Sequence, residues 1–235
     1  MRAIILAGGK GTRLRPYTSL LPKPLVPIGE DRAVIEIIIE QLVKAGVKHI
    51  TIAVNHLANL VMSFIGNGDR WGIKIDYSLE DKPLSTIAPL KLIEDLPEDF
   101  LVLNGDILTD LNFRDLLETH RQNGSHVTVA TFRRTQKTDY GVIDTDSDNR
   151  IVGFREKPAQ TYQVSMGVYA LNKSVLEPLE KGVPYGFDNL MYDCIAQERP
   201  ASSYLWEGFW LDIGRPEDYD YCNQNHQDIL RKLNV

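Results

Sequence analysis

The sequence predicts an α/β fold: three α/β/α layers around a mostly parallel, mixed Rossmann-like sheet, with a small β-rich insertion. Three observations point there. In the first half, short apolar runs alternate with stretches of helical periodicity, the signature of β-α-β units and a largely parallel sheet. The first apolar run, residues 2–7, feeds straight into a glycine-rich loop, as a buried strand does when it turns at a sheet edge. The second half is richer in candidate strands, and a β-rich insertion is placed around residues 135–165.

The elements follow in order. Residues 33–45 have helical spacing and stop at Gly46. Residues 49–54 form a strand, 56–65 a helix, 73–79 a strand and 86–95 a helix. Residues 100–103 are an apolar strand running into Asn104-Gly105-Asp106. A helix over 113–121 and a strand over 126–132 complete the first half. Strands are expected at 141–144, 151–154 and 164–171, helices at 174–179 and 190–197, a strand over 204–213 and a closing helix over 216–233. No linker or repeat divides the chain, so residues 1–235 are expected to form one domain.

The 235 residues are 43% hydrophobic and 25% charged, which is enough apolar material for a sizeable core. A net charge of −6 argues against a general nucleic-acid binder. No apolar run is long enough to span a bilayer, and the N-terminus does not resemble a signal peptide. Two cysteines, Cys194 and Cys222, have neither metal-ligand nor disulfide-framework spacing, so the expected location is the cytoplasm. The five histidines are scattered and form no metal motif. The charge is uneven: residues 1–29 carry Arg2, Lys10, Arg13, Arg15 and Lys23 and no acid. A basic segment in an acidic chain marks a local anion site.

That segment reads Leu6-Ala7-Gly8-Gly9-Lys10-Gly11-Thr12-Arg13-Leu14-Arg15-Pro16, with Pro22-Lys23-Pro24 beyond it. Glycines allow close backbone approach and positive φ, and their N–H groups can cradle an anion. Arg13 adds a planar fork and Lys23 a compact charge. The P-loop spacing is absent, and Leu14 stands where a dinucleotide fingerprint needs its third glycine. Asp106 and Asp212 each follow a strand and precede or follow a turn glycine. Placed together, they would suit Mg²⁺, a hard cation that prefers oxygen.

This loop resembles that of the sugar-1-phosphate nucleotidylyltransferases (NDP-sugar pyrophosphorylases), L-A-G-G-x-G-T-R-L-x-P with a lysine ten positions after the arginine, as Lys23 follows Arg13. Further motifs recur in order: NGD at residues 104–106, EKP at 156–158, MGVY at 166–169 and WLDIG at 210–214. The resemblance implies joining of an NTP to a sugar 1-phosphate with release of pyrophosphate. It assigns catalysis to Arg13, Lys23, Asp106, Lys157 and Asp212, and Mg²⁺ to Asp106 and Asp212. Nucleotide contacts fall to Leu6, Ala7, Gly8, Gly9, Gly11, Thr12, Arg13, Lys23, Glu80, Ser85 and Asp106. Sugar-phosphate contacts fall to Gly141, Glu156, Lys157 and Ser165. Two positions depart from the family pattern: Ser85 replaces a usual glycine, and Ser165 stands where many relatives have asparagine.

Glu80, able only to accept hydrogen bonds, matches the paired donors of guanine better than thymine or uracil. The PLVP and E-x-x-P-L elements are most like those of mannose-1-phosphate guanylyltransferases. The expected pair is therefore GTP with mannose 1-phosphate or a related hexose or heptose 1-phosphate. Glucose 1-phosphate with dTTP, UTP or CTP is the alternative within the reaction. A non-catalytic NDP-sugar sensor and a glycosyltransferase are the alternatives outside it. The left-handed β-helix domain that follows the catalytic core in many relatives is not expected here. A homo-oligomer is compatible with everything read so far.

Overall fold

The computed structural model describes residues 1–235. The strands are β1 (Arg2–Leu6), β2 (Pro27–Ile28), β3 (Arg32–Ala33), β4 (His49–Val54), β5 (Lys74–Leu79), β6 (Asp99–Asn104), β7 (Ile107–Thr109), β8 (Val127–Lys137), β9 (Val142–Thr145), β10 (Ile151–Arg155), β11 (Ala159–Asn172), β12 (Ala201–Trp206) and β13 (Trp210–Asp212). The α-helices are α1 (Val34–Lys44), α2 (Ala58–Ile65), α3 (Phe113–Gln122), α4 (Phe187–Ala196), α5 (Pro216–Gln224) and α6 (His226–Leu233). No helix is long and apolar enough to cross a membrane.

Seven strands form one sheet in the order β12-β8-β11-β6-β1-β4-β5. Four of its six pairings are parallel, and β11 alone runs against both neighbours. The fold is therefore the expected mixed, mostly parallel sheet. Strand alternation divides the core. Ala3, Ile5, Leu101, Leu103, Val168 and Ala170 point to one face, where 39 buried residues gather beneath α1, α2, α3, α5 and α6. Ile4, Phe100, Val102, Tyr169 and Leu171 point to the other, a smaller cluster of 13 closed by α4 and short 3₁₀ turns. Two apolar faces on one sheet are why its central strands read as continuous hydrophobic runs.

Several expectations need correction. The helix over 86–95 is only a 3₁₀ turn, Ala88–Leu92, entered through Pro89. The helix over 174–179 is likewise a 3₁₀ turn, Lys173–Leu176. The strand over 204–213 breaks into β12 and β13 around Gly208, where an added Cβ would meet Asp110 and the Trp206 ring. The closing helix divides at Asn225, whose φ of −114° is not helical. The insertion is confirmed: β8 and β11 continue beyond the sheet as a two-stranded ribbon, and β9 and β10 form a hairpin at its end.

The carboxyl ends of β5, β4, β1 and β6 lie side by side, and such an edge is where open α/β sheets bind ligands. At that edge the Gly105 N–H donates to the Leu6 carbonyl at 2.9 Å. A Cβ at Gly105 would lie 2.9 Å from that same oxygen, so β1 and β6 approach closely only because this residue has none. Gly105→Ala is expected to cost about 1–3 kcal/mol, seen as a lower urea midpoint with unchanged m-value. An unchanged midpoint would contradict the crowding.

Candidate active site

After β1 the chain turns through Ala7, whose N–H bonds the Ala53 carbonyl of β4 at 2.8 Å. The N–H groups of Gly8, Gly9, Lys10 and Gly11 have no acceptor in the chain. Successive free N–H groups at a strand's end make an anion cradle. Of the three glycines only Gly11 takes positive φ, +60°. An added Cβ there would crowd Thr18 and Lys23, and its carbonyl accepts from the Thr18 hydroxyl at 2.7 Å. Gly9 faces open space, whereas a Cβ on Gly8 would sit 2.7 Å from Glu80 Oε1. Thr12 and Arg13 begin a 3₁₀ turn and are exposed.

A cavity of about 310 Å³ lies over this loop. Leu6, Ala7, Gly8 and Gly9 form one side, Glu80 and residues 83–86 another, and Lys23 with residues 104–106 the floor. Glu80 is 7% exposed. Its Oε2 accepts from the Leu84 N–H at 3.1 Å, and Asn55 holds its backbone carbonyl at 2.8 Å. Burial raises the Glu80 pKa, opposed by the Leu84 N–H. Ser85 has φ +71°, a conformation that glycine adopts without strain.

Asp106 ends the turn after β6, and Asp212 ends β13. The antiparallel pairing of β13 with β7 sets Asp212 opposite Ile107, and the Ile213 N–H donates to the Asp106 carbonyl at 3.1 Å. Lys23 makes an ion pair with Asp106 Oδ2. Asp106 Oδ1 and Asp212 Oδ1 are both buried and have no hydrogen-bond partner. Two orphaned carboxylate oxygens on neighbouring residues fit a hard divalent cation. No group of three or more His, Cys, Asp or Glu converges anywhere in the chain, so the pair would leave other positions to waters and substrate, as Mg²⁺ prefers.

Asp212 also lines a second cavity, of about 760 Å³. Arg13, Arg134 and Arg215 reach it, and Phe132, Tyr162 and Trp210 give it an aromatic wall. Composition alone did not single out Arg134 or Arg215. Of the expected sugar contacts, Gly141 and Glu156 are neighbours: a Cβ on Gly141 would lie 3.3 Å from Glu156 Oε2. Lys157 follows in a turn with φ +43°. Glu156 and Lys157 are exposed on the ribbon and line neither cavity. Ser165 sits where the β11–β8 register shifts; its hydroxyl accepts from the Gly167 N–H and donates to Tyr169.

Burial pushes the Asp212 carboxyl above the usual range. The Asp106 charge adds to this, and Lys23 and Arg13 pull it back. A carboxyl with raised folded pKa binds its proton more tightly in the folded chain. Its contribution to stability therefore falls as pH rises from the ordinary value of 3.8 through the raised one, and stays low above it. Asp212→Asn is accordingly expected to melt higher than the parent at pH 7.5 in chelator, with a smaller gap at pH 4.5. A gap independent of pH would remove titration of Asp212 as its cause.

The family described as Nucleotidyl transferase matches residues 2–228. Mannose-1-phosphate guanyltransferase of Candida albicans is 37% identical over 228 residues, 93% of this chain and 62% of that protein. The Saccharomyces cerevisiae protein of the same name is 36% identical over 93% of this chain and 63% of its own length. The chain thus spans just over three-fifths of these curated relatives. The crystal structure of HddC from Yersinia pseudotuberculosis complexed with GMP-PN superposes with a TM-score of 0.73 at 25% identity, covering 96% of this chain and 99% of HddC. A putative glucose-1-phosphate thymidylyltransferase from Bacillus anthracis shares the fold, with a TM-score of 0.76 at 24% identity over 100% of this chain and 99% of that one. The glycine cradle, the aspartate pair and the match along almost the whole length make this chain a member of the nucleotidyl transferase family.

Proposed function

We propose that the chain joins an NTP to a sugar 1-phosphate, giving an NDP-sugar and pyrophosphate. The observation that carries this reading is the position of the aspartates. Asp106 lines the cavity above the glycine cradle and immediately precedes β7, Asp212 lines the second cavity, and β13 pairs with β7 so that Asp212 lies opposite Ile107. Two substrate spaces thus adjoin one pair of carboxylates.

In the first cavity the free N–H groups of residues 8–11 and Lys23 would hold the triphosphate, and Arg13, which lines the second cavity, would meet it from that side. In the second, the sugar 1-phosphate would lie beside Asp212; Lys157 for its phosphate, and Glu156, the Gly141 backbone and Ser165 for the sugar, lie outside that cavity on the ribbon and would have to approach it when the substrate binds. A sugar-phosphate oxygen attacks the α-phosphorus in line. The bond to the β-phosphate oxygen breaks, and pyrophosphate leaves on the opposite side. The nucleophile is already anionic, so no side chain has to remove a proton. Bringing two polyanions together is the difficulty, and fixed cations and positioning meet it. Asp106 and Asp212 would hold Mg²⁺, which supplies charge neutralisation at the α-phosphate.

The base site favours GTP. Glu80 Oε2 is occupied by the Leu84 N–H, whereas Oε1 lies on the Gly8 side of the cavity. A buried group that only accepts suits guanine's N–H donors. The mannose-1-phosphate guanyltransferase relatives, and HddC in its complex with GMP-PN, agree with that choice. We therefore take GTP with mannose 1-phosphate, or a related hexose or heptose 1-phosphate, as the reference pair. One catalytic domain in the cytoplasm, with both cysteines free and no nucleic-acid or membrane partner, completes the reading.

Pyrophosphate release, measured over a matrix of NTPs and sugar 1-phosphates, decides whether there is turnover. NDP-sugar binding without release would leave a sensor and sink the catalytic reading. Asp106→Asn or Arg13→Ala should lower turnover at least ~100-fold. Mg²⁺ should raise the melting temperature of the parent and not that of Asp106→Asn. Near-normal synthesis by either folded variant would contradict the assignment. For the base, Glu80→Gln should reduce kcat/KM for GTP about 10- to 100-fold, the loss of one or two charge-assisted hydrogen bonds. It should spare UTP, and an undiminished GTP preference would exclude Glu80 as the selector.

A further inference from the structure

We propose that Arg134 reads a second anionic group on the sugar 1-phosphate, a carboxylate or phosphate carried away from C1. This rests on the nucleotidyl-transfer reading and narrows the sugar within it.

Eight of the fourteen arginines have an ion-pair or hydrogen-bond partner for their guanidinium within the chain. Of the six that have none, Arg13, Arg134 and Arg215 line the one cavity beside Asp212. The contrast along β8 is direct. Arg133, on the other side of the strand by alternation, is neutralised by Glu207 at 3.0 Å. Arg134, on the cavity side, has no such partner and lies over no aromatic ring. Asp212, Glu217 and Asp218 line the same cavity, yet none forms an ion pair with Arg134 or Arg215. Asp218 instead accepts the Arg215 backbone N–H at 3.0 Å and caps α5.

The wall itself fits a sugar. Phe132 packs against Trp210 with ring centroids 5.4 Å apart. Arg134 is one pleat further out, about 7 Å along the strand, opposite Tyr162 in register. Aromatic faces beside a planar donor suit a carbohydrate ring with a polar edge. In the proposed reading the phosphates already have their cations: Arg13 and Lys23 for the triphosphate and Lys157 for the sugar phosphate, with Arg215, three residues beyond Asp212, lining the same cavity. A neutral sugar would press against Arg134 and displace its water without giving it an anion. A carboxylate or second phosphate on the sugar would be held by a bidentate, charge-assisted pair.

The test compares mannose 1-phosphate, mannose 1,6-bisphosphate and mannuronic acid 1-phosphate, each with GTP and Mg²⁺, by pyrophosphate release. The same three ligands are then compared by calorimetric binding without GTP. At least one of the two doubly anionic sugars should exceed mannose 1-phosphate about tenfold or more in kcat/KM and in affinity. Which one does so identifies the group as phosphate or carboxylate. Arg134→Gln should bring the ratio near one, and Arg134→Lys should keep part of it. A parent that prefers the neutral sugar, or a ratio untouched in Arg134→Gln, overturns the proposal. If none of the sugars is turned over, the catalytic reading falls, while the binding ratios still decide the role of Arg134.

Discussion

Two carboxylates, Asp106 and Asp212, are held together in a partly dry site, each with one buried oxygen that no protein donor satisfies. Like charges in that setting repel, and water cannot screen them well. The fold tolerates the arrangement because cations are fixed around it. Lys23 contacts Asp106 directly, and Arg13 lies close enough to offset the charge on Asp212. Lys23 stands between Pro22 and Pro24, whose locked φ angles confine the short turn that carries it. Only 11% of the lysine side chain and 20% of the aspartate is exposed, so this pair is better shielded than an ordinary surface ion pair. The site is thus electrostatically loaded before any substrate arrives, which suits the polyanions proposed for it.

The topology explains how two aspartates more than a hundred positions apart come to this point. Asp106 is delivered by a central strand, β6, and the missing Cβ of Gly105 lets that strand end close beside β1. Asp212 arrives by a different device. The three-residue ladder of β13 with β7 lies outside the main sheet. Trp210 anchors it by donating to the Met166 carbonyl at 3.0 Å, and Thr109 by donating to the Phe209 carbonyl at 2.7 Å. One aspartate is therefore fixed by the core and the other by a short, heavily braced ladder. Because the β7–β13 pairing joins the two cavity walls, a change in the ladder would alter both substrate spaces at once.

The central strands were readable in the sequence because they are buried on both faces and leave apolar runs that glycine ends. Gly11 was readable because its backbone needs a left-handed φ. Other features left no such signal. β7 and β13 are too short for periodicity, and their pairing spans a hundred residues. Residues 86–95 carry apolar spacing that suggests a helix, but they pack as a 3₁₀ turn beneath the sheet. Ser85 departs from a family glycine, and only the structure shows why glycine is usual there, in the left-handed φ of that turn. Arg134 was invisible for a different reason. The ribbon of β8 and β11 is largely exposed beyond Phe132, so no hydrophobic alternation marks which of Arg133 and Arg134 faces the cavity.

That difference separates the two halves of the site. The proposed nucleotide half is built largely from backbone: free N–H groups after β1, a glycine at the end of β6, and Glu80, whose carboxylate is held by the Leu84 N–H and whose backbone carbonyl is held by Asn55. Backbone recognition suits what all NTPs share, their phosphates. The proposed sugar half would be built from side chains on a ribbon that extends beyond the sheet and contributes little to the core. Substitution there costs little stability, because exposed positions with no packed neighbours are usually tolerant. A fold that keeps its phosphate chemistry on rigid strand ends and its sugar contacts on such a ribbon can change sugar without disturbing the reaction. In the proposed reading the EKP residues at the ribbon turn and the unpaired Arg134 guanidinium belong to that adjustable part, so the identity of the sugar is to be sought along the ribbon rather than in the glycine loop.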